Sequence, residues 1–257
     1  MNKLQEKLLE IAIEYIRVCE QLNLNYFAYG GTCLGAVRHK GFIPWDDDMD
    51  FIMPRKDYEI LRKNAKKEFK PKYLLQCWEV DHNYPYTFAK LRDTTTTMIC
   101  AQEQAFDINQ GCWIDIFIMD EVPKEPDIIK RIEWKKKMFF RPRYFSKYYP
   151  FTLKHVPYII FLHIIFPTKK IAFILDKKQF KNTGFKKNNY FWSNWNYVHS
   201  DIVCYEPFKH YTVFPFENIF IRVPQDFDSY LVETYGKWWL VPPVEERISH
   251  PIIKLIL

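Results

Sequence analysis

An α+β fold, with a mixed sheet flanked by helices, is what this sequence predicts. Three observations carry that reading. Strand-like and helix-like segments follow one another in mixed order. Carboxylates stand at the ends of apolar strand-like runs or inside them. A hydrophobic content of 48% with 18% aromatic residues can fill a sizeable core. The 257 residues are expected to form a single domain over 1–257, with a basic, apolar-containing helical insertion at 126–190.

The elements follow in chain order. MNKLQEKLLEIAIEYIRVCEQLNL sets Leu4, Leu8, Ile11, Tyr15, Val18 and Leu22 at helical spacing among Lys, Glu and Gln. It reads as an amphipathic helix packed on a domain and not as a signal peptide. Tyr26 to Tyr29 suits a short strand, Gly30-Gly31 a turn, and Thr32 to Arg38 a helical turn or two. DFIMP is a strand ending at Pro54, followed by a basic amphipathic helix with Tyr58, Leu61 and Ala65 on one side. YLLQCWEV and YTFAKLRD are two further strands, the second alternating Tyr86, Phe88 and Lys90 with Thr87, Ala89 and Leu91. GCWIDIFIMDEVP is the next, with Asp115 inside its apolar run. A last helix starts near Phe227 and stops near Pro242-Pro243.

Net charge is +6, unevenly placed. Lys130 to Lys187 holds 16 Lys/Arg against Glu133 and Asp176, a local +14, so the remainder carries −8. Inside the basic segment lies VPYIIFLHIIF. It fits a core helix in a solvated basic surround, or a peripheral contact at the inner face of the cytoplasmic membrane. It is too short for the roughly 18 apolar residues of a membrane span. The six cysteines form no CxxC pair and no zinc-finger spacing, and read as reduced, mostly buried thiols of a cytoplasmic protein.

The chemistry concentrates in GFIPWDDDMDFIMP. Asp46, Asp47, Asp48 and Asp50 are crowded between apolar flanks. Two like charges about 4 Å apart repel by roughly 4 kcal/mol at an effective dielectric of about 20. The four acids therefore splay into water or share a cation. Asp48 and Asp50 are two apart on a strand-like stretch, so both can point one way while Met49 and Phe51 point the other. Asp115, flanked by Ile114 and Ile116, would cost several kcal/mol if buried without an arginine or a metal. Three such carboxylates converging from neighbouring strands would make an oxygen site for Mg²⁺ or Mn²⁺. Gly30-Gly31-Thr32, opening a helix, offers backbone N–H groups and a hydroxyl to phosphate oxygens. Metal, phosphate cradle and a carboxylate to orient a hydroxyl are the parts of phosphoryl transfer. Taken singly, the acid run also fits a solvated turn, and Gly-Gly-Thr a plain one.

YGGTCLGAVRHKGFIPWDDDMDFIMP resembles the signature of the LicD family, which includes phosphocholine transferases of bacterial envelope glycans and, more distantly, fukutin and fukutin-related protein. FAKLRDTTTT, GCWIDIFIMD and YLVETYGKWWLVPPVEERISH agree in order. The resemblance covers about Leu22 to Asp120 and Pro224 to His250, and the basic middle matches no motif. It implies a nucleotidyltransferase-like sheet, with Gly31 and Thr32 at the glycine turn. Asp48, Asp50 and Asp115 are then both the catalytic set and the metal ligands. Expected substrate contacts are Gly30, Gly31, Thr32, Arg38, Asp47, Lys90 and Arg92, with Lys90 also readable as a surface lysine. Asp46 and Asp47 fit turn caps or holders of outer-shell water. His250 and Arg247 lie in the terminal motif without a definite role. Cys33 stands where a bulkier apolar residue is common, and no structural zinc is expected.

The reaction so implied is Mg²⁺-dependent transfer of phosphocholine from CDP-choline to a sugar hydroxyl. The acceptor would be a lipopolysaccharide, teichoic acid or capsule precursor, lipid-linked if the membrane reading holds. Ribitol or glycerol phosphate from another CDP-alcohol is the near alternative. A nucleotidyltransferase, which releases pyrophosphate and not CMP, is a second. A metal-dependent binding module for anionic glycans is the non-enzymatic one. Nucleic acid is not an expected partner, because the charge outside the basic segment is negative.

Overall fold

The structure is a computed structural model that describes residues 1–101, 103–104, 106–122, 156–165, 190–192, 202–247 and 249–257. The chain divides into two units, Met1–Met119 with Glu206–Leu257, and Asp120–Tyr205. Most of the expected insertion at 126–190 lies outside the described residues.

The first unit is a mixed sheet in the order β1-β2-β6-β4-β3. Its strands are β1 (Phe27–Ala28), β2 (Asp50–Pro54), β3 (Tyr73–Gln76), β4 (Ala89–Asp93) and β6 (Cys112–Val122). β2 and β6 run parallel, and the other neighbours are antiparallel. This is the expected α+β class. One face of β2 presents Phe51 and Met53 to α1 (Lys3–Gln21), where the Tyr15 ring lies 4.9 Å from Phe51 and its hydroxyl 3.7 Å from Met53 Sδ. Leu8, Ile11, Tyr15 and Val18 of α1 are fully buried, each apolar side chain contributing about 1.5–3 kcal/mol. The helix starts where Asn2 and Gln5 exchange side-chain bonds to each other's backbone N–H, a capping box. Gln5 Nε2 also donates to the Asp46 carbonyl at 3.0 Å, tying the helix start to the acidic loop.

α2 (Gly30–His39) follows β1, and α3 (Arg55–Glu68) follows β2, burying Tyr58, Leu61 and Ala65 as their spacing predicts. Several boundaries differ from expectation. The strand expected from Tyr86 starts only at Ala89. The residues before it pack as an aromatic row, Tyr84 on Tyr86 and Tyr86 on Phe88, with centroids 5.3 and 5.0 Å apart, and Pro85 has no N–H for a ladder. The last long helix, α5 (Phe227–Tyr235), ends at Gly236, whose φ of 65° breaks it well before Pro242-Pro243.

Six of the described strands were not anticipated. β5 (Thr97–Cys100) pairs with β11 (Ile252–Ile256), and β9 (Tyr211–Phe216) with β10 (Ile219–Pro224). In the second unit, Asp120–Val122 of β6 pairs with β7 (Tyr190–Trp192), which pairs with β8 (Ile202–Cys204). That unit also holds α4 (Val156–Ile165), which leaves Ile160, Phe161 and Ile164 exposed. Among the described residues no helix is long and apolar enough to cross a membrane. All six cysteines are free thiols, and all but Cys204 are buried.

Candidate active site

Strand register builds the acidic centre. Asp50 of β2 stands opposite Asp115 of β6, and Asp115 stands opposite Lys90 of β4. Registered partners share a face of the sheet, so all three side chains emerge opposite the surface that α1 covers. The Asp115 N–H bonds the Met49 carbonyl at 2.8 Å, carrying the pairing back toward Asp48, just ahead of the strand. One oxygen from each of Asp48, Asp50 and Asp115 can be chosen so that all lie within 4.8 Å of one another. Asp50 and Asp115 are buried, at 4% and 6% exposure, and Asp50 Oδ1 has no hydrogen-bond partner.

The charge balance around these acids is unfavourable. Burial raises the Asp50 carboxyl well above the usual carboxylate range, and Asp48 and Asp115 add to the rise. Asp48 is raised as well, again mainly by burial. Lys90 Nζ comes within 2.8 Å of Asp115 Oδ1, at an angle that makes an ion pair and not a hydrogen bond. Lys90 and His250, the latter 3.6 Å from Asp48, face five carboxylates once Asp46 and Asp47 are included, which leaves a deficit of positive charge. An orphaned, buried oxygen between two further carboxylates fits a hard divalent cation, which takes oxygen ligands at about 2.0–2.1 Å. Asp48, Asp50 and Asp115 are the groups that could hold it.

The glycine turn shapes this centre more than it offers donors. Gly30 has a φ of 50°, and a Cβ there would meet Asp50 Oδ2 at 2.8 Å. A Cβ on Gly31 would meet Asp46 Oδ2 at 2.8 Å. Both positions therefore let a carboxylate lie directly on the backbone. The Gly30 N–H is committed to the Tyr230 hydroxyl at 2.9 Å, and Thr32 Oγ1 accepts the Asp50 N–H at 2.8 Å. These two groups were expected to meet phosphate. The Gly30 N–H is used internally, whereas Thr32 Oγ1 accepts here and keeps its own O–H to donate. The N–H groups of Gly31 and Thr32 have no partner among the described residues.

The basic side chains also fall differently from expectation. Arg92 is fully buried, with bonds to Gln76 Oε1, the Gly111 carbonyl at 3.0 Å and Glu103 Oε2 at 2.7 Å. Its guanidinium cannot reach a ligand, so Arg92 supports β4 from within. Lys90, readable as a surface lysine, is 4% exposed, with Nζ 4.0 Å from the Trp113 ring centre and 3.6 Å from Glu103. Arg38 donates to the Trp238 and Leu240 carbonyls at 2.8 and 2.9 Å, which occupies its Nη1 with the terminal segment. Asp47 accepts from the His250 N–H at 2.7 Å and contacts its Nδ1 at 2.9 Å. That contact raises the imidazole pKa to about 9. His250 had no role on sequence grounds; only its place in the terminal motif pointed to it.

Residues 23–174 match the family model described as LicD/FKTN/FKRP, nucleotidyltransferase domain. The chain belongs to the LicD family. It is 29% identical over 246 residues to the lipopolysaccharide cholinephosphotransferase LicD of Haemophilus influenzae, covering 91% of this chain and 89% of that one. Shorter matches join it to uncharacterized proteins of two Rickettsia species. One, from R. typhi, is 46% identical over 19% of this chain and 15% of its own length. The other, from R. prowazekii, is 28% identical over 40% of this chain and 35% of its own length. The acidic loop, β2 and α3 all fall inside the family match, as does Asp115.

Proposed function

We propose that this LicD-family chain transfers phosphocholine from CDP-choline to a sugar hydroxyl of a cell-surface glycan precursor, using Mg²⁺ or Mn²⁺. The observation that carries the chemistry is the buried, unpartnered Asp50 Oδ1 in register with Asp115. The choice of group follows the Haemophilus relative, a lipopolysaccharide cholinephosphotransferase similar along nearly its whole length.

A cation held by Asp48, Asp50 and Asp115 would neutralise the donor diphosphate and the charge that develops on the leaving phosphate. Asp115 takes the proton of the acceptor hydroxyl as that oxygen bonds phosphorus and the bond to CMP breaks. Lys90, beside Asp115, supplies positive charge toward the transferred phosphate. Gly31 and Thr32 offer it their N–H groups at the start of α2. For the quaternary ammonium, Tyr235 and Trp239 keep exposed aromatic surface, at 39% and 53%, and an aromatic face is worth roughly 0.5–2 kcal/mol to such a cation. The other aromatic cluster considered for this role, YFWSNWNY, lies mostly outside the described residues. The reading includes cytoplasmic action at the membrane face, which the exposed apolar residues of α4 and their basic flanks support.

The test is incubation with Mg²⁺, a candidate glycan acceptor and each of CDP-choline, CDP-ribitol and CDP-glycerol. Acceptor-dependent CMP release fastest with CDP-choline is expected. Preference for a polyol donor overturns the choline assignment and leaves the cation site standing. Pyrophosphate release from a nucleoside triphosphate, with no CMP from any CDP-alcohol, makes the chain a nucleotidyltransferase.

A further inference from the structure

The structure points to a function for His250 that its half-buried, loop-borne position hides. Asp47 sits between Asp46 and Asp48, one residue out of phase with the pair that faces Asp115. One ligand atom from each of Asp47, Asp48 and His250 lies within 4.8 Å of the others, and the Asp47 carboxylate reaches the chain's last segment. There it meets two donors of one residue. The His250 N–H reaches Asp47 Oδ2 at 2.7 Å, and Nδ1 lies 2.9 Å from Oδ1. Nδ1 is also 3.6 Å from Asp48 Oδ2.

His250 is not on a loose tail. Ahead of it, Arg38 grips the Trp238 and Leu240 carbonyls, and the Arg247 guanidinium lies 4.2 Å from the Trp45 ring centre. After it, Ile252 pairs with Cys100 in the β5–β11 ribbon. The imidazole is thus delivered to the acidic loop between two anchors, and bonding both oxygens of Asp47 fixes that carboxylate's plane. Four crowded acids give a cation several wrong ways to bind. A clamp on Asp47 removes the nearest competitor and holds the adjoining Asp48 in place.

We propose that His250 is a positioning residue of the cation site: by clamping Asp47 it holds Asp48 in ligand geometry. The proposal rests on the reading that Asp48, Asp50 and Asp115 bind a divalent cation. Removing the outer partner of a ligand set costs about 10–100-fold in metal affinity.

Mn²⁺ alone is the probe, titrated into the full-length protein and followed by the paramagnetic resonance of the free ion, with circular dichroism and melting to confirm folding. His250→Ala should weaken binding by about tenfold or more. His250→Asn, whose amide nitrogen can stand where Nδ1 stands, should stay within about threefold of the parent. Asp47→Ala should weaken Mn²⁺ about as much as His250→Ala, and the double variant no further, because both remove one clamp. The Asp47→Ala arm decides the matter if His250→Ala does not fold. Parent-like binding by His250→Ala or by Asp47→Ala overturns the proposal, as do additive losses. Loss of one bound ion in both His250→Ala and His250→Asn makes His250 a ligand and overturns it too. If the parent binds no Mn²⁺, this proposal and the cation reading fall together. If Asp50→Asn abolishes binding while His250→Ala does not weaken it, only this proposal falls.

Discussion

Two clusters of buried charge share one face of the same sheet, two residues apart on β4. Around Arg92 every charge has its counterpart: Glu103 and Gln76 take its donors, and the Trp113 ring lies 4.9 Å from its guanidinium carbon. Glu103 Oε1 and Asp50 Oδ1 both lack a hydrogen bond. Glu103, however, has Arg92 and, at 3.6 Å, Lys90 beside it, whereas around Asp50 three carboxylates share that lysine and His250 lies near Asp48 alone of the three. Burial pushes both Glu103 and Asp50 upward. In Glu103, Arg92 and Lys90 outweigh it and hold the carboxyl below its ordinary value; in Asp50 the neighbours are acids and push it higher still. Equal burial thus has opposite consequences. One cluster is complete within the chain. The other carries more negative charge than the chain balances.

The largest effect should come from breaking the incomplete cluster. Asp50→Asn keeps the volume and removes a ligand charge, so transfer should fall by at least about 10³-fold, near 4 kcal/mol of barrier. Melting temperature should be unchanged or higher in chelator, because the substitution relieves repulsion among buried acids. Parent-level turnover in this variant would end the cation assignment. A large drop in melting temperature would show that Asp50 holds the fold.

The two clusters were unequally legible in the sequence. Asp48, Asp50 and Asp115 stand out because acids in apolar, strand-like runs conflict with their surroundings, a conflict that a basic partner or a bound cation would relieve. The same patterning gave α1, α3 and β2 nearly to the residue. Lys90 and Arg92 alternate with Ala89 and Leu91, which is also how a solvent-facing strand edge reads. Their burial depends on Glu103, which sits in the connection between β5 and β6 and carries no local signature. His250 and Tyr230 reach the site from about 200 residues away, and neither periodicity nor spacing encodes such contacts. The β5–β11 pair was missed for the same reason, since strand partners far apart are chosen by tertiary packing. The β9–β10 pair is instead a local hairpin whose two-residue turn, Glu217-Asn218, was a readable signal that went unused.

Breaking the complete cluster should cost the fold and not the chemistry. Arg92→Leu leaves Glu103 buried beside Lys90 alone, and removing one partner of a buried pair typically costs 3–5 kcal/mol. Denaturant midpoints should show that loss. Arg92→Leu combined with Glu103→Leu should recover much of it, since apolar residues of similar volume can replace a buried pair at little cost. A double variant as unstable as the single one would mean that the pair supports β4 by shape and not by charge.

The smallest effect sharpens the comparison by pH. Glu103 has a folded-state pKa below its unfolded one. The stability this contributes is fully present above the unfolded value, near 4.3 for a glutamate, and is lost as pH falls through the lower folded value. The sign follows because the unfolded chain binds the proton first, so acid favours unfolding. Glu103→Gln keeps an acceptor for Arg92 but cannot titrate. It should therefore be less stable than the parent at pH 7, and its stability should fall less steeply below about pH 4.3. One group can change the slope by at most about 1.4 kcal/mol per pH unit. The measurement is urea unfolding at half-unit steps from pH 3 to 6, with chelator present so that cation release does not add its own slope. Parallel curves for parent and variant would show that Arg92 and Lys90 do not hold Glu103 ionised, and the contrast between the two clusters would then lie in geometry alone.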